Sequence, residues 1–323
     1  MESTYTSAMP TSVLFIIASL IWGSTFWAIT LQLGEVPPSV SVVYRFALAS
    51  ATLFAICMMR GYKLQLPWRT QKWLMLQGVA TFGLSYICTY QAEEVVVSGL
   101  VAVLFALMVF WTPLLGRIFH GTPIAPRTWS AGAVATGGVA LLFYHSIASA
   151  WRDMQLGGSG HFLLGVVLAL VATIASSAGS IVVGKVRAQS SNVMLTTAWS
   201  MLWGTLLVAL YVVLTGQRFV APPSLTYTLG LLYLSLFGSV IAFLAYFTLI
   251  NRIGPQKAVY IGVITPVLSV LLSIRLEHYR PGAVEFVGMI LCLASVAWAL
   301  RAPAAKPVHS PSLNNAHNAI ETP

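Results

Sequence analysis

The chain has 323 residues, of which 58% are hydrophobic and only 8% are charged, and its formal net charge is +9. Its mean hydropathy is +0.83. Ordinary soluble domains carry about 25% charged residues, so this composition excludes a soluble globular enzyme. It also excludes a disordered chain, which would be polar and charged. The sequence predicts an all-α polytopic membrane protein.

The cysteines and the basic residues indicate no disulfide, metal site or nucleic-acid site. Cys57, Cys88 and Cys292 each lie inside an apolar run, where cysteine usually behaves as a small buried hydrophobe. The lysines and arginines are scattered singly and form no recognition motif for nucleic acid. We therefore expect no metal, no cofactor and no nucleic-acid partner, and membrane orientation explains the positive charge better.

Apolar runs near the length of a membrane-crossing helix occur ten times. A crossing needs about 20 apolar residues. A signal peptide would begin with a basic segment, which residues 1–12 lack, so we expect the first run to stay in the protein. The predicted helices cover residues 13–33, 39–59, 73–92, 97–119, 128–146, 162–184, 193–214, 225–249, 256–276 and 283–300. The tail 301–323, rich in Pro, Ala, Asn and His, is predicted to be disordered.

The distribution of basic residues predicts the orientation in the membrane. Ten crossings place both termini on one side, and cytoplasmic loops are enriched in Lys and Arg. The loops and tail on the terminal side hold twelve Lys and Arg, the other side holds four, and Arg45 lies inside a helix. Both tails, 1–12 and 301–323, are therefore predicted to be cytoplasmic. Six of the eight acidic residues lie on or near the outer side, in agreement.

A faint internal repeat relates the two halves of the chain. At an offset of 156 residues, Gly99 aligns with Pro255 and Gly132 with Gly288. The repeats are predicted at 13–147 and 162–300, joined by an external linker at 148–161. Because five helices per half is an odd number, the second copy enters the membrane from the opposite side and the repeat is inverted. Transporters built this way bind substrate near the membrane midplane, between the halves.

Five motifs in the same order and spacing resemble the EamA-type branch of the drug/metabolite transporter (DMT) superfamily. They are Trp22-Gly23-Ser24-Thr25-Phe26, Pro37-Pro38 followed by Arg45-Phe46, Ser98-Gly99-Leu100, Gly254-Pro255 with Ala258, and the stretch from Thr265-Pro266-Val267 through Glu277-His278-Tyr279-Arg280 to Gly288. The resemblance implies a ten-helix, inverted-repeat exporter of small metabolites or drugs in a bacterial inner membrane, with a cavity lined by both halves. The chain departs from the family at Thr30 and Thr122, where many relatives have Lys and Glu, so no role is carried over to these two residues.

Arg45 is the first candidate for a substrate-binding residue. A charge inside a membrane helix is costly unless it is paired or wetted, and it marks a functional site by default. Arg45 lies about 7 Å below the outer end of its predicted helix. Its long side chain can therefore either line a cavity near the outer mouth or snorkel to the outer headgroups.

Aromatic and polar residues of several helices form the remaining candidates. Aromatic walls with a few polar groups are typical of small-molecule pockets. Each residue alone can equally face lipid, pack between helices or belong to the interfacial belt, so only the set indicates a site. It comprises Trp22, Ser24, Thr25, Tyr86, Tyr90, Gln91, Trp111, Thr112, Trp199, Trp203, Tyr246 and Tyr260.

Pro266 and the absence of acidic residues deep in the predicted helices bear on how the protein could move and whether transport is coupled to protons. Pro266 removes a backbone hydrogen bond in mid-helix and, with Gly262, is either a hinge at the midplane or a tolerated membrane-helix proline. No Asp or Glu lies at mid-membrane depth, and proton relays usually use such residues. We expect weak or no proton coupling, and surface ion pairs of Glu277 and Glu285 with Arg275 and Arg280.

These observations favour a transporter that exports small metabolites, such as amino acids or related compounds, by alternating access. Multidrug efflux of amphipathic compounds is the alternative. A membrane-embedded enzyme is disfavoured because the chain lacks a His-Glu-x-x-His helix, a P-loop and clustered acids. A non-transporting subunit is disfavoured because no soluble output domain is present. The expected partners are a small-molecule substrate and the lipid bilayer, and the oligomeric state is left open, a monomer being compatible with the sequence.

Overall fold

The computed structural model describes residues 9–34, 36–124, 126–155, 160–259 and 261–300. Every regular element in this part of the chain is helical. Tyr260, the tail 301–323 and most of the tail 1–12 lie outside the described residues.

The helices are labelled α1 to α12 in chain order. They are α1 Thr11–Thr30, α2 Pro38–Met59, α3 (Trp68–Gly78, Val79–Leu84 and Ser85–Glu93 in succession), α4 (Ser98–Phe105 and Met108–His120), α5 Pro126–Leu142, α6 Tyr144–Gln155, α7 His161–Arg187, α8 Val193–Leu214, α9 (Leu225–Tyr233, Leu234–Ile241 and Ala242–Ile253), α10 Pro255–Ala258, α11 Ile261–Leu276 and α12 Ala283–Leu300.

Each of the ten apolar runs overlaps helical segments, the run 256–276 being divided between α10 and α11, because an apolar run in lipid must satisfy its own backbone hydrogen bonds. Among the described residues, six helices are long and apolar enough to cross a membrane: α1, α2, α4, α7, α8 and α9. Shorter apolar helices occupy 264–276 and 283–298. The described chain is therefore a multi-pass membrane protein. The run at 128–146 ends early, at Leu142, and the separate helix α6 occupies most of the region expected as a linker.

Two helices contain a π-helical turn at corresponding places. The turn in α3 covers Val79–Leu84 and the turn in α9 covers Leu234–Ile241. Adding the 156-residue offset to 79–84 gives 235–240, which falls inside the second turn. In α9 the hydroxyl of Ser239 donates to the carbonyl oxygen of Leu234 at 2.9 Å. Such turns are rare and frequently occur at functional sites.

The helix contacts repeat between the two halves. α3 packs on α7 and α8, and α9, the corresponding helix of the second half, packs on α1 and α2. α1 packs on α11, and α7 packs on α4. The remaining large interfaces join corresponding helices directly: α2 with α8, α5 with α12 and α4 with α11. The packing is therefore close to symmetric under exchange of the halves.

Glycines allow two of these interfaces to form at backbone contact. A Cβ atom on Gly138 of α5 would lie 2.8 Å from the Cys292 nitrogen and 2.9 Å from the Gly288 carbonyl oxygen of α12. A Cβ atom on Gly204 of α8 would lie 2.7 Å from the Gly78 carbonyl oxygen of α3. Small residues at membrane helix interfaces permit this close approach, which maximises van der Waals packing.

Candidate functional site

A cavity opens between α1, α2, α3, α4, α7, α9 and α11 and has an empty volume of about 740 Å³, counting its open mouth. Both halves of the chain line it. Six of the predicted site residues are among the lining: Trp22, Thr25, Arg45, Tyr86, Tyr246 and Pro266. The lining also includes residues that sequence reasoning missed: Phe26, Ile29, Thr89, Ala102, Phe105, Met108, Ser176, Val259, Ile261, Gly262 and Thr265.

Arg45 is the charged residue of the described lining. Its side chain is 0% exposed, which argues against the snorkelling alternative. Nε donates to the hydroxyl of Ser239 at 2.9 Å, and Nη1 donates to the hydroxyl of Tyr90 at 3.3 Å. Tyr90 in turn donates to Oε1 of Gln32 at 2.8 Å. Nη2 is buried and has no hydrogen-bond partner.

Aromatic rings surround the guanidinium group. Its carbon lies 4.7 Å from the centroid of the Tyr86 ring and 5.3 Å from that of Phe46. A cation over a ring face is attracted by the ring quadrupole, more strongly when water is excluded. The described groups that contact the guanidinium group are all neutral side chains: Ser239, Tyr90, Tyr86 and Phe46.

The π-helical turn of α9 builds the wall beside Arg45. It presents the hydroxyl of Ser239 to Nε, and its Gly238 carbonyl oxygen accepts from Nε1 of Trp22 at 3.1 Å. A Cβ atom on Gly238 would lie 3.1 Å from Nη2 and 2.7 Å from Cγ2 of Thr25. Glycine at this position therefore leaves room for the guanidinium group.

An aromatic wall continues from Trp22 toward α7. The Trp22 ring contacts Phe243 and Tyr246 edge to face, at centroid distances of 5.0 Å in both pairs. The hydroxyl groups of Tyr246 and Ser180 are 3.1 Å apart, within hydrogen-bond distance. The polar atoms of Trp22 and Tyr246 are thus bound within the protein, and the two rings offer the cavity mainly apolar surface.

Thr265 supplies a second polar group without a partner in the described lining. Its hydroxyl is buried and makes no hydrogen bond, whereas the hydroxyls of Thr25 and Thr89 donate to carbonyl oxygens of their own helices. Thr265 precedes Pro266, and a Cβ atom on Gly262 would lie 3.5 Å from Cα of Ala106. Its position next to a mid-helix proline is the feature of the sequence from which Thr265 could have been predicted as a site residue.

Several predicted site residues lie outside the cavity lining. Tyr90 is fully buried behind Arg45. Ser24 lies 2.6 Å from the hydroxyl of Tyr233. Trp199 and Trp203 stack on each other and donate to the Leu64 carbonyl oxygen and to Gln71, far along the bundle from Arg45. The others outside the lining are Gln91, Trp111 and Thr112.

The acidic residues nearest the site take different partners from those expected. Glu277 accepts hydrogen bonds from the hydroxyls of Ser98, at 2.5 Å, and Ser273, where sequence reasoning had placed a surface ion pair with arginine. Glu93 is 6% exposed, and neither of its carboxylate oxygens has a hydrogen-bond partner. Neither acid belongs to the described cavity lining.

The chain is similar to known membrane transporters. The profile of the EamA-like transporter family matches residues 9–144 and again 163–301. The uncharacterized inner membrane transporter YedA of Escherichia coli K12 is 28% identical over 306 residues, 92% of this chain and 94% of YedA. A protein of the same strain named probable amino-acid metabolite efflux pump is 22% identical over 299 residues, 88% of this chain and 92% of that protein. A crystal structure of another protein, 18% identical, matches with a TM-score of 0.64 over 90% of this chain and 96% of that chain, which shows a shared fold.

Proposed function

Because the chain belongs to the EamA-like transporter family, we propose that it exports small metabolites, amino acids or related compounds, across the bacterial inner membrane by alternating access. The observation that carries the proposal is a cavity lined by both halves of the chain, with one buried arginine among aromatic walls. Small-molecule sites have this character: mostly apolar surface with a few placed polar groups. An enzymatic role has no such support from the site.

The proposed architecture is ten membrane-crossing helices in two inverted five-helix repeats, 13–147 and 162–300, with both termini in the cytoplasm. Two observations support it. The family profile matches the chain twice, once in each half, and the helix contacts are close to symmetric under exchange of the halves. In inverted-repeat transporters the halves rock around a site between them, which is where this cavity lies.

The proposed substrate class draws on one relative, the protein named probable amino-acid metabolite efflux pump. The aromatic lining also favours the second candidate function, efflux of amphipathic drugs. We further propose that transport does not depend on a proton relay through the cavity, since its described lining contains no Asp or Glu.

Efflux from proteoliposomes tests the proposal. Vesicles with purified protein are loaded with amino acids, nucleosides, sugars and cationic drugs, and release is followed by mass spectrometry with and without a pH gradient. Empty vesicles and Arg45→Ala are compared with Arg275→Ala, which removes an exposed arginine near the end of α11. We expect selective release of one compound class, lost in Arg45→Ala and kept in Arg275→Ala. Release of drugs alone would support the second candidate, and no release by folded, inserted protein would contradict both.

A further inference from the structure

The buried guanidinium group of Arg45 has one donor nitrogen left over. Nε and Nη1 are bound to Ser239 and Tyr90, both neutral. The hydrogen-bond chain is directional, because Ser239 donates onward to Leu234 and Tyr90 donates onward to Gln32. Both hydroxyls therefore present lone pairs to Arg45 and are held in that orientation. Nη2 has no partner in the described structure, although its N–H groups are obligatory donors.

A buried cation whose hydrogen bonds and ring contacts all come from neutral groups is incompletely compensated. Burying a charge is costly unless it is paired and hydrogen-bonded, and cation–π contacts replace only part of its hydration. Glu93, a buried acid of the neighbouring helix, lies close enough to Arg45 for an electrostatic interaction, but neither of its carboxylate oxygens accepts a hydrogen bond from Arg45 or from any other described group. An unfilled donor and a charge without a hydrogen-bonded counterion among the described residues thus occur on the same cavity-lining side chain.

We propose that Nη2 of Arg45 binds the carboxylate of a small organic monoanion, whose apolar or aromatic body lies against Trp22, Phe26 and Tyr246. This inference rests on the proposed transport function and specifies the substrate for the same cavity. Arginine N–H groups match carboxylate geometry, and charge-assisted bonds of this kind are about twice as strong as neutral ones.

The charges that line the cavity indicate which net charge a ligand should carry. Arg45 is the one formally charged residue in the described lining, so one negative charge neutralises it and a second would be unpaired. A ligand ammonium group would find the hydroxyl of Thr265 and aromatic faces, with no carboxylate in the described lining. The order of preference is therefore a carboxylate without an ammonium group, then a zwitterion, then a neutral amide, and last a cation.

Four probes that share a phenyl body separate these charge states: phenylacetate, phenylalanine, phenylacetamide and 2-phenylethylamine. Binding to the full-length protein purified in detergent is measured by calorimetry and by ligand-induced thermal stabilisation. We expect phenylacetate to bind at least about tenfold more tightly than phenylacetamide, because both can accept a hydrogen bond from Nη2 but only the carboxylate brings a negative charge to pair with the guanidinium group.

Variants assign the preference to Nη2. Arg45→Gln should reduce the ratio of carboxylate to amide affinity to near one, and Arg275→Gln should leave it unchanged. Because Arg45→Gln also disturbs a buried network, the paired substitution Gly238→Ala with Thr25→Ser serves as a second variant. The methyl group added at residue 238 crowds Nη2 of Arg45. Thr25→Ser removes the Cγ2 atom with which this methyl group would otherwise collide. The double variant keeps the positive charge of Arg45 and should still lower the ratio of carboxylate to amide affinity several-fold.

Three results would overturn the inference: equal binding of phenylacetate and phenylacetamide, tightest binding of 2-phenylethylamine, or no binding of any probe at millimolar concentration to folded protein. The vesicle efflux assay distinguishes these from failure of the proposed function. If folded protein releases other compounds but shows no carboxylate preference, transport stands and the carboxylate site is refuted. If it releases nothing yet binds phenylacetate through Arg45, the site stands and transport is refuted.

Discussion

Adding one methyl group to Gly138 should separate α5 from α12. The new Cβ atom would meet the Cys292 nitrogen at 2.8 Å and the Gly288 carbonyl oxygen at 2.9 Å. Both are backbone atoms, which cannot turn aside as a side chain can. Ordinary contacts of a Cβ atom begin near 3.4 Å, so the two helices must move apart by about 0.6 Å at this point. Overpacking of this kind costs about 1–3 kcal/mol.

Gly137 provides the matched control, because it is the neighbouring residue of the same helix and a Cβ atom there would meet nothing within 4 Å. Gly137→Ala changes helix propensity by the same amount, about 1 kcal/mol in favour of alanine. The difference between the variants therefore isolates the helix contact. We expect Gly138→Ala to unfold at lower denaturant concentration in mixed detergent micelles than Gly137→Ala. Equal midpoints for the two variants would show that α5 and α12 do not meet at backbone contact.

Three further predictions follow from the site and the topology. Tyr90→Phe removes the hydroxyl between Arg45 and Gln32 and should cost about 1–3 kcal/mol of stability, measured by thermal unfolding; an unchanged melting temperature would contradict the hydrogen-bond chain. Trp22→Phe should change the relative efflux rates of substrates of different size, whereas Trp203→Phe, which lies outside the cavity lining, should leave the ratios unchanged; the vesicle assay distinguishes them, and equal effects would refute the placement of the site. A reporter enzyme that is active only in the cytoplasm should be active when fused beside Lys63. Activity there of a reporter that works only in the periplasm would contradict the proposed orientation.

The sequence predicts the helices well because lipid leaves an apolar run few alternatives to a helix. The same constraint made Arg45 visible, since a lone charge among apolar residues stands out against its neighbours. Trp199 and Trp203 share the composition of a binding wall, but their indole N–H groups bind Leu64 and Gln71 at another part of the bundle. Composition carries no information about which partner a distant helix supplies.

The partners of Arg45 were out of reach of sequence reasoning for the same reason. Ser239 follows Arg45 by 194 residues, and its position depends on a π-helical turn that has no pattern in the hydrophobic periodicity. Gln32 lies at the end of the predicted helix 13–33, where a polar residue is ordinary. For Glu277 the sequence suggested a wrong partner. Its charged neighbours in the sequence predicted an ion pair, whereas the folded chain brings the hydroxyl of Ser98 to its carboxylate.

The paired π-helical turns bear on the ancestry of the chain. A π turn holds an extra residue within an otherwise α-helical segment, so an insertion in one half alone would change the offset between the halves beyond it. Both halves carry the turn, and Gly99 and Pro255, which lie after it, still align at 156 residues. Duplication of one segment that already contained the turn would account for both positions. The two turns differ in their contacts: Ser239 binds Arg45, whereas its counterpart Gly83 packs closely beside Leu207.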